Sequence, residues 1–239
     1  MSDVLVLCYH AVSDRWASDL AVSRACLERQ VGQLVARGYR GATFTQAIVR
    51  PSHAKSLVVT FDDAFASTLL AAPILARLGV PGTVFVPTAF VDKPGPMRWP
   101  GIEHWADGGH GNELTCMTWD QLADLAREGW EVGSHTASHP ELPSLPDREL
   151  AEELTESRAA IEDRLGRPCE SIAYPYGLYD ERVSAAAEAA GYVTGGTLTR
   201  LPHRAEPLAW PRVGAYETRP WLFRVKTSPV LRRVAALKP

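Results

Sequence analysis

Two short stretches carry residue types that could together bind a metal ion and activate water. Residues 57–63 read L-V-V-T-F-D-D, so an apolar, β-branched run ends in the adjacent carboxylates Asp62 and Asp63. Further along the chain, His135 and His139 stand four positions apart in S-H-T-A-S-H. Ionised carboxylates are almost never buried without a partner or a metal ion. Two carboxylates and two imidazoles can supply three metal ligands and one spare base, which indicates an enzyme.

The surroundings of the histidine pair favour a polar metal pocket and exclude one protease motif. Residues four apart lie on the same side of a helical turn, so both imidazoles are expected to reach one ion. Ser134, Thr136 and Ser138 surround the pair with hydroxyl groups. A zincin motif needs Glu directly after the first histidine, where this chain has Thr136. The base must therefore come from elsewhere, and the step from Asp62 to Asp63 offers one.

Strand-like and helix-like segments alternate along the chain and must position these residues. The predicted strands are 4–8, 57–61, 82–86, 130–133, 172–174 and 193–197. The predicted helices are 26–37, 68–78, a helix capped by Thr118 and Gln121, a long helix capped by Ser144 and closed by Gly166, and 181–190. Such alternation predicts a parallel sheet covered by helices.

The residues that could take part in catalysis or metal binding all follow predicted strands. They are His10, Asp62 and Asp63, His135, and Tyr176. In a β/α barrel the carboxyl ends of the strands meet at one mouth, where active sites lie. A doubly wound open sheet would also place its site at strand carboxyl ends. We favour an α/β fold of the barrel type, because ligands from three or more strands must converge on one point.

Size and composition restrict the class of protein. A chain of 239 residues, 46% hydrophobic and 22% charged, can bury a sizeable core, and the absence of a linker or repeat predicts one catalytic domain over 1–239. A net charge of −3 argues against a general nucleic-acid binder. The amino terminus lacks the features of a signal peptide, and no apolar run reaches the length of a membrane span. Four scattered cysteines are typical of reduced thiols, so we expect a cytoplasmic protein.

Two segments depart from the alternating pattern. Residues 92–117 form a Gly/Pro-rich loop insertion whose Trp99 and Trp105 could make a sugar-stacking lid or could anchor the loop to the surface. Residues 218–239 form a basic carboxyl-terminal segment with no acidic residue. This segment could contact an anionic membrane surface or an anionic substrate, but a last helix packed on the barrel with solvated basic side chains is favoured. Its basic residues are Arg219, Arg224, Lys226, Arg232, Arg233 and Lys238.

Three motifs together resemble those of a known enzyme family. T-F-D-D (60–63), S-H-T-A-S-H-P (134–140) and A-Y-P-Y-G-L-Y-D (173–180) are similar in order and spacing to the first three motifs of the NodB-type polysaccharide deacetylases, carbohydrate esterase family 4. The opening pair Tyr9 and His10 resembles the branch that includes the poly-N-acetylglucosamine deacetylases. The resemblance covers most of the chain and implies an α/β fold, the distorted (β/α)7-8 barrel of the polysaccharide deacetylase type.

The resemblance also implies roles for individual residues. By similarity, Asp63, His135 and His139 hold one divalent metal ion, and Asp62 is the general base. The backbone N–H of Tyr176, by the same similarity, helps to hold the oxyanion. Pro175 would fix the turn that aims this amide, and Gly177 would allow a close backbone approach. Zinc is the default ion, and the same ligands also suit cobalt, nickel or iron.

Two family features have no direct match in this chain. Many members carry an Arg in the third motif that pairs with the base, and Arg212 in W-P-R-V is our candidate for its replacement, with an ordinary surface arginine as the alternative. The late L-x-H motif that supplies the general acid matches Leu201-Pro202-His203 in letters, but this stretch is early and polar. We favour His10 as the acid over His203, because His10 follows the first strand and so opens onto the same mouth.

The resemblance and the residues together predict a metal-dependent hydrolase that removes N-acetyl groups from an amino sugar or a glycan containing N-acetylglucosamine. A second hypothesis keeps the chemistry but changes the substrate to a small-molecule or glycolipid intermediate. A third is a carbohydrate-binding homologue that has lost turnover. The partner expected in each case is an N-acetylated sugar, with no nucleic acid.

Overall fold

The computed structural model describes residues 3–51, 53–198, 205–216, 219–230 and 232. Its strands are β1 Asp3–Tyr9, β2 Ala11–Val12, β3 Ala21–Val22, β4 Arg40–Gly41, β5 Lys55–Phe61, β6 Gly82–Val86, β7 Glu131–Ser134, β8 Ser171–Ala173, β9 Thr194–Thr197, β10 Trp210–Pro211 and β11 Val213–Gly214. Its α-helices are α1 Arg24–Ala36, α2 Phe44–Val49, α3 Ala72–Arg77, α4 Glu103–Ala106, α5 Trp119–Arg127, α6 Asp147–Leu165, α7 Glu181–Ala189 and α8 Pro220–Lys226. None of these described helices has the length and apolar character that crossing a bilayer requires.

The main sheet is parallel and nearly closes on itself. Its strand order is β10-β9-β8-β7-β6-β5-β1-β11, and β4 also pairs with β5. The strands at the two ends of this order, β10 and β11, are separated along the chain by Arg212 alone. One extended segment therefore pairs with β9 on one side and with β1 on the other. This closure confirms the predicted barrel and contradicts the open sheet.

Successive strand residues face two different cores, as a pleated strand requires. On β1, Leu5 and Leu7 belong to the large core between sheet and helices, whereas Val6 belongs to a small core within the barrel. Phe85 of β6 and Phe44 of α2 fill the same small core, with their rings 5.4 Å apart. The barrel interior is therefore packed below its mouth, so polar side chains on inner positions gather at the end where the strands terminate.

Helix boundaries follow local capping signals, with one clear difference from the prediction. Thr118 and Gln121 form the predicted capping box, with hydrogen bonds of 3.2 and 3.0 Å. The prediction that Ser144 caps the long helix is wrong, because α6 begins at Asp147 directly after Pro146. The residue before a proline is disfavoured in the α region, so Leu145 stays extended and the helix cannot run back to Ser144. The Ser144 hydroxyl instead donates to the carbonyl three residues before it.

The helix predicted over 68–78 is divided in two. A 3-10 helix covers Ala66–Ala71, and α3 begins only where Pro73 can occupy the first turn. Proline is tolerated there because the first N–H groups of a helix have no intrahelical partner.

The basic carboxyl-terminal segment is described only in part. Its helix α8 buries Phe223 and leaves Arg224 and Lys226 exposed, as the favoured interpretation predicts. Arg232 instead pairs with Asp3 of β1 at 2.7 Å. Arg233 and Lys238 lie outside the described residues.

Candidate metal centre and active site

The candidate site lies at the barrel mouth, where four strands end. His10 follows β1, Asp62 and Asp63 follow β5, His135 follows β7, and Tyr176 lies shortly after β8. These residues are far apart in sequence but meet in space, because the carboxyl ends of parallel barrel strands converge at one mouth.

Asp63, His135 and His139 form a compact, buried cluster. One possible ligand atom from each residue lies within 4.8 Å of the others. Oδ1 of Asp63 is 3.3 Å from Nε2 of His135 and 3.4 Å from Nε2 of His139. Nδ1 of His135 lies 2.7 Å from the carbonyl oxygen of Ala173. When Nδ1 donates its proton to that carbonyl, the Nε2 lone pair is left facing Asp63.

The chemistry of this cluster fits a divalent cation. Oδ1 of Asp63 is buried and has no hydrogen-bond partner among the described residues, which is costly for a carboxylate unless a cation neutralises it. One carboxylate and two imidazoles leave positions open on a metal, as catalytic sites require.

The histidine pair does not lie on a helical turn, so this part of the prediction is wrong. Residues 135–140 form an irregular loop after β7, in which Thr136 and His139 have φ angles of 68° and 65°. The Thr136 hydroxyl accepts from the His139 N–H at 3.0 Å. The carboxylate of Glu153 accepts from the N–H groups of Ala137 and Ser138 at 2.8 and 2.9 Å. These bonds hold a left-handed backbone that sequence spacing does not reveal.

Asp62 lies beside the cluster in a buried ion pair with Arg212. Nη1 and Nη2 of Arg212 donate to the two carboxylate oxygens of Asp62 at 2.6 and 2.8 Å. Burial alone would raise the pKa of Asp62, but the charge of Arg212 opposes it, and the pKa falls to about 2. Arg212 occupies the single position between β10 and β11. The segment that closes the barrel therefore also supplies the arginine that pairs with Asp62.

Two further side chains near Asp62 were missed by sequence reasoning. The thiol of Cys8 donates to Oδ2 of Asp62 at 3.3 Å, and its sulfur lies 3.5 Å from the Tyr216 hydroxyl. Burial raises the pKa of Cys8 above its ordinary value, so the thiol keeps its proton and acts as a donor. Cys8 precedes His10 by two residues, and strand alternation could have placed it on the inner face.

His10 lies at the rim of the cluster. Its Nε2 is 3.9 Å from Oδ2 of Asp63, and its ring centroid is 5.4 Å from that of Tyr216. The backbone carbonyl of His10 accepts from the Thr68 hydroxyl at 3.0 Å, which fixes the turn after β1. The alternative acid, His203, and the rest of its L-P-H motif lie outside the described residues.

Tyr176 follows β8 with an unusual backbone. Its φ and ψ angles are 58° and 4°, and Gly177 has a φ of 72°. A Cβ atom on Gly177 would lie only 2.6 Å from the backbone nitrogen of Leu198, so glycine is needed for close backbone packing here. The ring of Tyr176 is partly exposed and meets the His139 ring edge-on, with centroids 4.8 Å apart.

The two tryptophans of the 92–117 loop differ in their surroundings. Trp99 is 6% exposed and stacks on the imidazole of His139 with a centroid distance of 4.2 Å and an interplanar angle of 22°. Trp105 is partly buried and packs edge-on against Trp16. Both contacts are with protein rings, which matches the anchoring interpretation. Trp99 has too little exposed surface to stack on a sugar in this conformation.

These features define a β/α-barrel protein with a candidate divalent-metal centre at its mouth. A family comparison narrows this class. Residues 50–195 match the family described as polysaccharide deacetylase. The chain belongs to the polysaccharide deacetylase family, as its three motifs predicted.

Individual relatives agree with this assignment. YxkH of Bacillus subtilis (strain 168) is 28% identical over 232 residues, which cover 94% of this chain and 71% of YxkH. A chitooligosaccharide deacetylase of Sinorhizobium fredii (strain NBRC 101917 / NGR234) is 27% identical over 169 residues, which cover 67% of this chain and 62% of the relative. The structure of IcaB from Ammonifex degensii superposes with a TM-score of 0.73 at 25% identity, covering 96% of this chain and 97% of IcaB.

Proposed function

We propose that this protein removes N-linked acetyl groups from an amino sugar within an N-acetylglucosamine-containing glycan or glycoconjugate. The observation that carries the proposal is the buried Asp63, His135 and His139 cluster beside the ionised Asp62–Arg212 pair. Membership of the polysaccharide deacetylase family and the similarity to a chitooligosaccharide deacetylase support a sugar amide as the substrate.

Asp63, His135 and His139 would hold the divalent ion, with zinc as the first choice. When bound, such an ion lowers the pKa of water towards about 7 and polarises the acetamide carbonyl. The contact between Nδ1 of His135 and the Ala173 carbonyl, which leaves Nε2 available to a cation, and the partnerless Oδ1 of Asp63 support these three residues as the ligand set.

Asp62 would act as the general base that takes the proton of the attacking water. Its pKa of about 2 keeps it ionised near neutral pH, but it also makes Asp62 a weak base. Proton transfer to such a group requires water of unusually low pKa, so the base and the cation site are useful only together. Arg212 would keep the carboxylate ionised and hold it in a fixed orientation through two hydrogen bonds.

The remaining steps need an oxyanion donor and a general acid. The backbone N–H of Tyr176 would donate to the carbonyl oxygen as negative charge develops there. His10 would give a proton to the sugar nitrogen as its bond to the acetyl carbon breaks. The position of His10 near Asp63, 3.9 Å from its carboxylate, supports this role. The water oxygen ends in acetate, and the sugar is left with a free amine.

The proposal is tested by measuring acetate release from a panel of N-acetyl sugars, from N-acetylglucosamine to chitooligosaccharides of increasing length. The metal-stripped protein is compared with protein reloaded with zinc, cobalt, nickel or iron. We expect acetate release that is lost on chelation and restored by at least one of these ions. Stoichiometric metal binding without acetate release from any sugar would favour the carbohydrate-binding homologue, or an acyl group other than acetyl.

A further inference from the structure

The two histidines of the cluster are oriented in different ways. Nδ1 of His135 lies 2.7 Å from the carbonyl oxygen of Ala173, a contact that fixes both the ring angle and the tautomer. Nδ1 of His139 is buried and has no hydrogen-bond partner among the described residues. Metal-binding histidines usually have such a partner, because it aims the ligating nitrogen. Some other contact must therefore orient His139.

Aromatic rings enclose His139 on two sides. The indole of Trp99 lies nearly parallel to the imidazole, at a centroid distance of 4.2 Å. The ring of Tyr176 meets the imidazole edge-on at 4.8 Å. Phe90 packs edge-on against the indole of Trp99, with ring centroids 5.3 Å apart. Rotation of the imidazole would therefore collide with the indole, which is itself held by a neighbouring ring.

The loop that carries Trp99 is fastened to the site and to the scaffold. The Tyr176 hydroxyl donates to the carbonyl of Pro100 at 3.2 Å, so the residue after Trp99 is tied to the turn that follows β8. Within the loop, the N–H of Met97 donates to the carbonyl of Leu114 at 3.0 Å. The N–H of Met117, at the end of the loop, donates to the carbonyl of Ala64 at 2.9 Å, directly after Asp63.

We infer that Trp99 is a positioning residue for the metal centre, and that its stacking on His139 replaces the hydrogen bond that His139 lacks. The loop over 92–117 is then a wall of the metal site that pre-orients one ligand before the cation arrives. This inference rests on the proposed metal-binding function, because it assigns Trp99 an effect on cation affinity.

The test compares three variants of the metal-free protein by competition with a zinc chelator. Trp99→Leu keeps an apolar side chain but removes the flat ring, whereas Trp99→Phe keeps a ring that can stack. Trp105→Leu is the matched control, because Trp105 belongs to the same loop and contacts Trp16 instead of His139. The melting temperature of each metal-free variant reports any general loss of stability.

Since partners around a metal ligand typically contribute about 10- to 100-fold in affinity, we expect Trp99→Leu to raise the zinc Kd at least about 10-fold. Trp99→Phe should recover most of this loss, and Trp105→Leu should keep the wild-type Kd. Equal zinc affinity in wild type and Trp99→Leu would overturn the inference, as would an equal loss in Trp105→Leu. A wild-type protein that binds no divalent cation would instead refute the proposed metal site itself.

Discussion

The two ends of the barrel each hold a carboxylate, and the two carboxylates are satisfied in opposite ways. At the start of β7, Glu131 accepts from the Thr45 N–H at 2.9 Å and from the hydroxyls of Thr45 and Ser171 at 2.6 Å each. At the mouth, Oδ1 of Asp63 has no hydrogen-bond donor among the described residues and faces two imidazole nitrogens. Glu131 accepts hydrogen bonds from neutral donors, as is typical of a structural carboxylate. The oxygen of Asp63 without a donor lies beside two imidazoles and could instead ligate a cation.

A concave site also exists at the end of the barrel away from the mouth. A cavity of about 390 Å³ opens beside Glu131 and is lined by Trp130, Arg167 and Glu170, among others. The Glu131 carboxylate beside this cavity already accepts three hydrogen bonds, so it has little capacity left to bind a ligand. In this barrel a buried carboxylate oxygen without a hydrogen-bond donor, rather than a cavity, indicates where a cation would bind.

The largest effect should come from the two adjacent aspartates. Asp63→Asn should abolish metal binding and turnover together, because it removes a charged ligand. Asp62→Asn should lower kcat by about 10²- to 10⁴-fold, the usual range for a general base, while zinc content stays at the wild-type level. Metal analysis and acetate release on the same samples check both expectations. Equal metal content in the two variants would show that their roles are misassigned.

The next largest effect should come from Arg212. Its substitution tests whether the Asp62–Arg212 ion pair takes part in catalysis or only stabilises the fold. Arg212→Ala should lower kcat far more than it raises KM, and should lower the free energy of unfolding by about 3–5 kcal/mol, since Asp62 is left buried and unpaired. The control is Arg148→Ala, because Arg148 pairs with Glu152 on the surface at 3.1 Å. Surface pairs contribute only about 0–1 kcal/mol. An unchanged kcat would remove Arg212 from the mechanism.

Substitution of Glu131 tests whether the carboxylate at the end of the barrel away from the mouth contributes to stability alone. Glu131→Gln replaces one accepting oxygen with a donor that faces hydroxyl and amide partners. We expect the free energy of unfolding to fall by about 1–3 kcal/mol, the typical cost of an unsatisfied buried polar group. Denaturant unfolding measures this loss, while zinc Kd and kcat should stay at wild-type values. A selective loss of zinc affinity in Glu131→Gln would show that the two ends are not independent.

The smallest effect should come from Cys8, which donates weakly to Asp62. Cys8→Ala removes this donor and should lower kcat/KM roughly 2- to 10-fold, as the loss of one modest hydrogen bond implies. Cys8→Ser keeps a donor at the same position and should restore most of the rate. Equal rates for the alanine and serine variants would indicate that Cys8 fills space without orienting the base.

Much of the site could be predicted because its residues follow strands. The acidic doublet after an apolar run and the histidines after β7 were placed correctly at one mouth. The orientation of His139 could not be predicted, since it depends on a left-handed backbone and on Glu153 from α6. The spacing of four suggested a helical turn, and only the tertiary contacts show otherwise.

The fold, like the site, could be predicted from the sequence only in part. Alternating strands and helices predicted the parallel barrel, because that pattern is local in the chain. Barrel closure through Arg212 was not predicted, because β10 and β11 are two residues each and carry no periodic signal. The stacking of Trp99 on His139 also depends on a long loop whose path has no sequence period.

The central claim is that the cluster at the mouth holds a cation, and a crystal structure of the zinc-loaded protein, with anomalous data at the zinc edge, tests it most directly. The account predicts one ion within about 2.0–2.2 Å of an Asp63 carboxylate oxygen and of Nε2 of both His135 and His139. It would be contradicted by zinc bound elsewhere while these three side chains hydrogen-bond among themselves.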